Sequence, residues 1–148
     1  MCYTCEFCDS KSYGCLCTNF GGNMRLEGKV EKGWGHEFIF ATNDKYCGKF
    51  LHFKKDAKFS MHFHKDKDET WYVLSGKFLI RVIDTKKAET LQFYLEPGET
   101  WHNPPCLPHQ VICIEEGVLV EVSTPDSVED NYRIEAGDSQ SENSTNRP

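Results

Sequence analysis

Apolar and polar residues alternate in short runs along most of this chain, and no segment sustains a helical period. The alternation predicts strands over residues 29–40, 46–54, 59–64, 69–74, 78–84, 89–95, 100–103, 109–114 and 117–123. Between them lie turn-forming stretches at 42–45, 54–56, 85–88 and 97–99, and Ser75-Gly76-Lys77 reads as a tight hairpin in which glycine supplies a positive φ. Short strands separated by turns indicate an all-β antiparallel barrel or two-sheet sandwich. After Pro125 the pattern weakens: 128–135 still alternates and is expected to pack on the barrel, whereas 136–148 is polar and expected to be disordered.

The most informative stretch is 59–76, F-S-M-H-F-H-K-D-K-D-E-T-W-Y-V-L-S-G. In an extended strand alternate side chains share a face, so Ser60, His62 and His64 project one way and Phe59, Met61 and Phe63 the other. A second run starts at Glu69, with Trp71 and Val73 on its side and Thr70, Tyr72 and Leu74 opposite. A turn over 65–68 would pair the two runs antiparallel and bring two imidazoles and a carboxylate together. That ligand set suits Zn, Mn, Fe, Ni or Co, and spacing does not choose among them. A strand histidine taken alone is more often hydrogen-bonded or solvated than metal-bound.

The run H62-F-H64-(x)4-E69-(x)6-G76 resembles the first motif of the cupin superfamily, and Pro104-Pro105-Cys106-Leu107-Pro108-His109 resembles the second. The resemblance implies a jelly-roll barrel (double-stranded β-helix) with one divalent transition metal held by His62, His64, Glu69 and His109. The sequence departs from the motifs at Asp56 and Cys106, where cupins have glycine, and at Cys113, where they have asparagine. Asp56 and Cys106 stand where a backbone with positive φ is expected, which Asp tolerates better than Cys. On the second-motif strand His109, Val111 and Cys113 share the inward face, with Gln110, Ile112 and Ile114 outward. The outward Phe59, Met61 and Phe63 need a cover, so a homodimer is expected.

Length and charge narrow the classes. A chain of 148 residues with 39% hydrophobic content suits one compact domain. The formal net charge of -6, much of it after Asp126, argues against a nucleic-acid partner held by a broad basic surface. No apolar run is long enough to span a bilayer, and the first residues lack the apolar centre of a secretion signal, so a cytoplasmic location is expected. Cys2, Cys5, Cys8, Cys15 and Cys17 crowd the first seventeen residues without a histidine or a second well-spaced pair, so a zinc site is disfavoured. The expected organisation is a cysteine-rich leader over 1–23, disordered or outside a native start at Met24, a cupin domain over 24–135 and a polar tail over 136–148.

Three further runs point toward an activity. Lys32-Gly33-Trp34-Gly35 is similar to the K-P-W-G element of cupin mannose-6-phosphate isomerases, and E-T-W-Y-V-L-S-G resembles their first-motif strand. Glu129-Asp130-Asn131-Tyr132-Arg133-Ile134-Glu135 is similar to their E-D-D-I-V-R-x-E signature, although the D-x-Y-G-R element that follows it is absent. The resemblance implies a metal-dependent aldose–ketose isomerase acting on a sugar or sugar phosphate. Glu69 is the candidate base if it leaves the metal. Lys67 and Arg133 are expected at phosphate or hydroxyl groups, with Trp71 and His102 as further substrate contacts. The plainer readings make Lys67 a solvated turn residue and pair Arg133 with Glu129 or Asp130. His36 and His52 are expected in ordinary surface or hydrogen-bonded roles. Two other classes fit the same motifs: a non-catalytic sugar-binding or sensory cupin, and an Fe(II) dioxygenase.

Overall fold

A computed structural model describes residues 28–141. Nine strands form one curled sheet among these residues: β1 (Lys29–Lys32), β2 (Gly35–Thr42), β3 (Cys47–Phe53), β4 (Met61–Phe63), β5 (Glu69–Asp84), β6 (Glu89–Leu95), β7 (Thr100–Asn103), β8 (His109–Ser123) and β9 (Tyr132–Glu135). One short helix, α1 (Asp138–Ser141), follows. The path runs β1-β2-β3-β8-β4-β9, and β5 pairs with β6, β7 and β8. This is the expected jelly-roll barrel.

Two long strands, β5 and β8, hold the barrel together. They pair antiparallel from Glu69↔Ser123 to Val82↔His109. Ser75-Gly76-Lys77 is therefore not a hairpin, and the runs 109–114 and 117–123 are one strand rather than two. The glycine signal was real but served a bend. Gly76 has a φ of 82°, and the register shifts on both sides of it. A Cβ on Gly117, across the ladder, would lie 2.1 Å from the Ser75 carbonyl oxygen. The missing side chain lets the two backbones approach and bend together, which curls a flat ladder into a barrel.

Along β8, and along β5 as far as Val73, odd-numbered positions point inward; past the bend at Gly76 the inward residues of β5 are the even-numbered Phe78, Ile80 and Val82. Glu69, Trp71 and Val73 are buried on β5, and His109, Val111, Cys113, Gly117, Leu119, Glu121 and Ser123 on β8, while Thr70, Tyr72 and Leu74 are exposed. Trp34 stacks on Phe53 with ring centroids 4.4 Å apart, and Phe78, Ile80, Val111 and Leu119 complete an apolar floor. The turn positions Asp56 and Cys106 adopt φ values of 63° and 66°, so both non-glycine residues take the conformation the family leaves to glycine.

The two runs around the histidines do not pair with each other. β4 lies between β8 and β9, with His62 opposite both His109 and Arg133. Nor do Phe59, Met61 and Phe63 form an uncovered outer face. Met61 is fully buried, Phe63 stacks on Tyr132 at 5.1 Å, and Phe59 packs edge-on against Trp71 and His109. The covering surface expected from a partner is thus supplied largely within the chain. Gln110 is also buried rather than outward, accepting from Arg81 and donating to the Phe59 carbonyl.

Residues 136–141, expected in the polar tail, fold back on the barrel: the Gly33 N–H donates to Ser139 Oγ and the Lys58 N–H to Asp138 Oδ2. The leader with its cysteines, the question of Met1 or Met24, and the end of the tail lie outside the described residues. No helix among the described residues is long and apolar enough to cross a membrane.

Candidate metal centre

His62 on β4 and His64 just past its end turn to one side, and the β4–β8 pairing sets His109 beside them. Ring centroids are 4.9 Å apart for His62 and His64 and 4.7 Å for His62 and His109. One nitrogen of each of the three buried rings lies within 4.8 Å of the others. Their second nitrogens are all spoken for. Nδ1 of His62 lies 2.8 Å from the Ser60 carbonyl oxygen, Nδ1 of His109 lies 2.8 Å from that of Leu107, and Nδ1 of His64 meets that of Asp130.

A carbonyl only accepts, so each Nδ1 directs its proton away from the cluster and each Nε2 is the nitrogen turned toward the other rings. Burial, reinforced by His109, holds His62 down to about 3, and burial likewise lowers His64, so both are neutral at pH 7. Nε2 of His109 is a buried polar atom without a hydrogen-bond partner. It lies 3.0 Å from Glu69 Oε1, but the two are misaligned for a hydrogen bond. Three converging imidazole nitrogens fit a single divalent transition metal.

Glu69, the fourth expected ligand, stands at the edge of this group. Its Oε1 also accepts from Asn103 Nδ2 at 3.3 Å, and its Oε2 lies 2.7 Å from Lys67 Nζ. Burial alone would raise its pKa, but His109 and Lys67 outweigh burial and hold the carboxyl well below the usual range. One oxygen thus already faces the imidazoles in ionised form.

Lys67 is no solvated turn residue. Its side chain is 5% exposed, and Nζ reaches Glu121 at 2.6 Å, Glu69 at 2.7 Å and Asp126 at 3.2 Å. Burial disfavours its charge, yet these carboxylates raise its pKa above the ordinary lysine value. Lys49 joins the same network at 2.6 Å from Asp126. Buried Glu121 is pushed the opposite way from Glu69, upward, by desolvation and by the Glu69 charge.

These groups line a cavity of about 240 Å³, room for roughly eight water volumes. Trp71 forms part of its wall with an indole N–H that has no partner, and Asn131 contributes an unpartnered buried Oδ1. Arg133 lines the cavity and has no ion-pair partner among the described residues, so the pairing with Glu129 or Asp130 is not formed. His102 is elsewhere: it pairs with outward Thr70 and its Nε2 lies 3.0 Å from Asp68 Oδ1 on the exterior. Its place next to the second motif was misleading, because strand parity turns it out while Asn103 points in.

Sequence reasoning missed Glu121, Asp126, Lys49 and Phe59. For Glu121 a signal existed, since it continues the inward parity of Leu119 on β8. His36 and His52 stack on each other at 4.4 Å outside the cavity.

Comparison with known proteins agrees with this architecture. The cupin domain model matches residues 49–125, just over half of the chain. Oxalate decarboxylase from Bacillus subtilis superimposes with a TM-score of 0.61 at 23% identity, covering 72% of this chain and 29% of that one. The capsular polysaccharide assembling protein CapF from Staphylococcus aureus gives 0.63 at 20% identity over 73% of this chain and 32% of its own. KdgF from Halomonas sp. gives 0.53 at 19% identity over 64% and 81%. The chain spans about a third of the length of the first two, and identities this low speak to fold alone. No curated protein matches it. With both motifs in place, the barrel closed around three convergent imidazoles and the domain model covering strands β3 to β8, the chain belongs to the cupin superfamily.

Proposed function

We propose that this protein is a metal-dependent aldose–ketose isomerase of a sugar or sugar phosphate, similar to the cupin mannose-6-phosphate isomerases. The observation that carries the reading is the convergence of three buried imidazole nitrogens with the ionised Glu69 beside a polar cavity. A divalent metal bound there by His62, His64 and His109, with Glu69 as the fourth ligand, would act as a Lewis acid on adjacent substrate oxygens.

The chain's own residues have distinct parts. Trp71 offers a flat wall and a free N–H to a hydroxylated ring, and Arg133 offers its guanidinium to a phosphate or hydroxyl group at the cavity lining. Lys67 is tied to three carboxylates, so it orients Glu69 and Glu121 instead of meeting a phosphate. Glu69, strongly acidic, is a weak acceptor for a carbon-bound proton. Glu121, buried in the same cavity with a raised proton affinity, is better matched to move a proton between C1 and C2.

The test is metal analysis of protein purified without added metal, followed by an isomerase screen over hexose and pentose phosphates and their free sugars with Zn, Mn, Fe, Ni and Co. Turnover abolished by chelation and restored by metal is expected. Sugar binding without turnover under any metal would make this a binding module, and metal-specific oxygen consumption with iron would make it a dioxygenase.

A further inference from the structure

The run 129–135, similar to an isomerase signature, reaches the cavity through Asn131 and Arg133. Asp130 occupies a more connected place. Its backbone carbonyl accepts from Nδ1 of His64. Its carboxylate accepts from three successive backbone N–H groups: Lys65 to Oδ1 at 2.7 Å, and Asp66 and Lys67 to Oδ2 at 3.0 and 2.9 Å. The link 65–67 joins His64 to the lysine that braces Glu69. One residue on the loop before β9 therefore fixes the ring orientation of one metal-facing histidine and the backbone leading to the fourth expected ligand.

We infer that Asp130 is a positioning residue for the metal centre, clamping His64 and the 65–67 link in the geometry that points both His64 and Glu69 at one cation. The inference rests on the metal reading of the three imidazoles. Neither neighbour substitutes for it. Glu129 is exposed, and Asn131 has its own carbonyl one position further along the chain. The Cys106 N–H, bonded to the His64 carbonyl at 2.7 Å, holds the strand end without touching the ring.

The test is Co²⁺ titration of the full chain by calorimetry and visible absorption, in the wild type, D130A, D130N and E135Q. E135Q removes the charge that Glu135, on the β9 strand that follows and away from the imidazoles, sets 3.2 Å from Arg81. Expected for D130A is a loss of about tenfold in Co²⁺ affinity with an altered ligand-field band, the size usual for groups that orient metal ligands. D130N keeps one acceptor oxygen for three donors and should fall between D130A and the wild type. E135Q should match the wild type in affinity and spectrum. Should D130A not fold, D130N carries the test. Wild-type affinity and spectrum in D130A, or in D130N where D130A is unfolded, overturn the inference and leave the metal reading intact. A wild-type chain that takes up no Co²⁺ overturns both.

Discussion

Replacing Lys67 by methionine tests the electrostatic account most directly. The ammonium lies 2.6, 2.7 and 3.2 Å from Glu121, Glu69 and Asp126. Methionine keeps much of the stem and removes the charge. Asp126 retains Lys49 at 2.6 Å, so the damage is confined to Glu69 and Glu121, which are 2% and 5% exposed. Both keep one other donor, Asn103 and Ser123 respectively. The loss is then that of one broken buried ion pair, about 3–5 kcal/mol, against a total of roughly 5–15 kcal/mol for a domain of this kind. The melting temperature should fall by about 10–20 °C.

The pH dependence supplies the sharper check. Lys67 in the wild type has a raised pKa, so its contribution is complete below the unfolded lysine value and constant between pH 5 and 8. In the variant Glu121, already raised, loses its counter-charge and rises further. A carboxyl whose folded pKa exceeds its unfolded value gains stability as pH falls through the folded value. The deficit of K67M should therefore shrink between pH 7.5 and pH 5. Urea unfolding of the metal-free proteins at both pH values measures it. A deficit under about 1 kcal/mol at pH 7.5, or one that grows on acidification, would refute the reasoning.

Other expectations follow from single contacts. Because burial keeps His62 unprotonated down to about 3, the unfolded chain takes up a proton below about 6.5 that the folded chain refuses. Metal-free stability should decline from pH 6.5 downward, and H62Q should flatten that decline in urea unfolding. H109A should abolish stoichiometric metal uptake, read by elemental analysis, since it removes one of three converging nitrogens. G117A forces a Cβ against the Ser75 carbonyl and should cost about 2–4 kcal/mol in thermal unfolding. R133Q should weaken binding of a sugar phosphate by about tenfold and leave the free sugar unchanged, measured by calorimetry, because no ion pair is lost with it.

Much of the site was legible because its logic is local. H-x-H on a strand fixes two imidazoles on one face, and inward parity from His109 through Val111 to Cys113 delivers the third. What escaped depended on tertiary contacts. Gly76 advertises a positive φ equally well for a hairpin and for a bent strand; Gly117 on a distant segment decides which. Lys67 sits in a run of charges that reads as solvent-facing, and only the carboxylates of Glu121 and Asp126, more than fifty residues away, draw it inside. Met61 and Phe63 implied an intermolecular cover because nothing in the pattern revealed that β9 returns alongside β4.

The three backbone carbonyls that hold the imidazole Nδ1 protons have a thermodynamic consequence. With His62 and His64 already neutral and Glu69 already ionised, a cation entering near neutral pH displaces no hydrogen ion from these three groups. Hydrogen ions released on loading, read from the difference in heat between phosphate and Tris, whose ionisation enthalpies differ widely, should then number one at most.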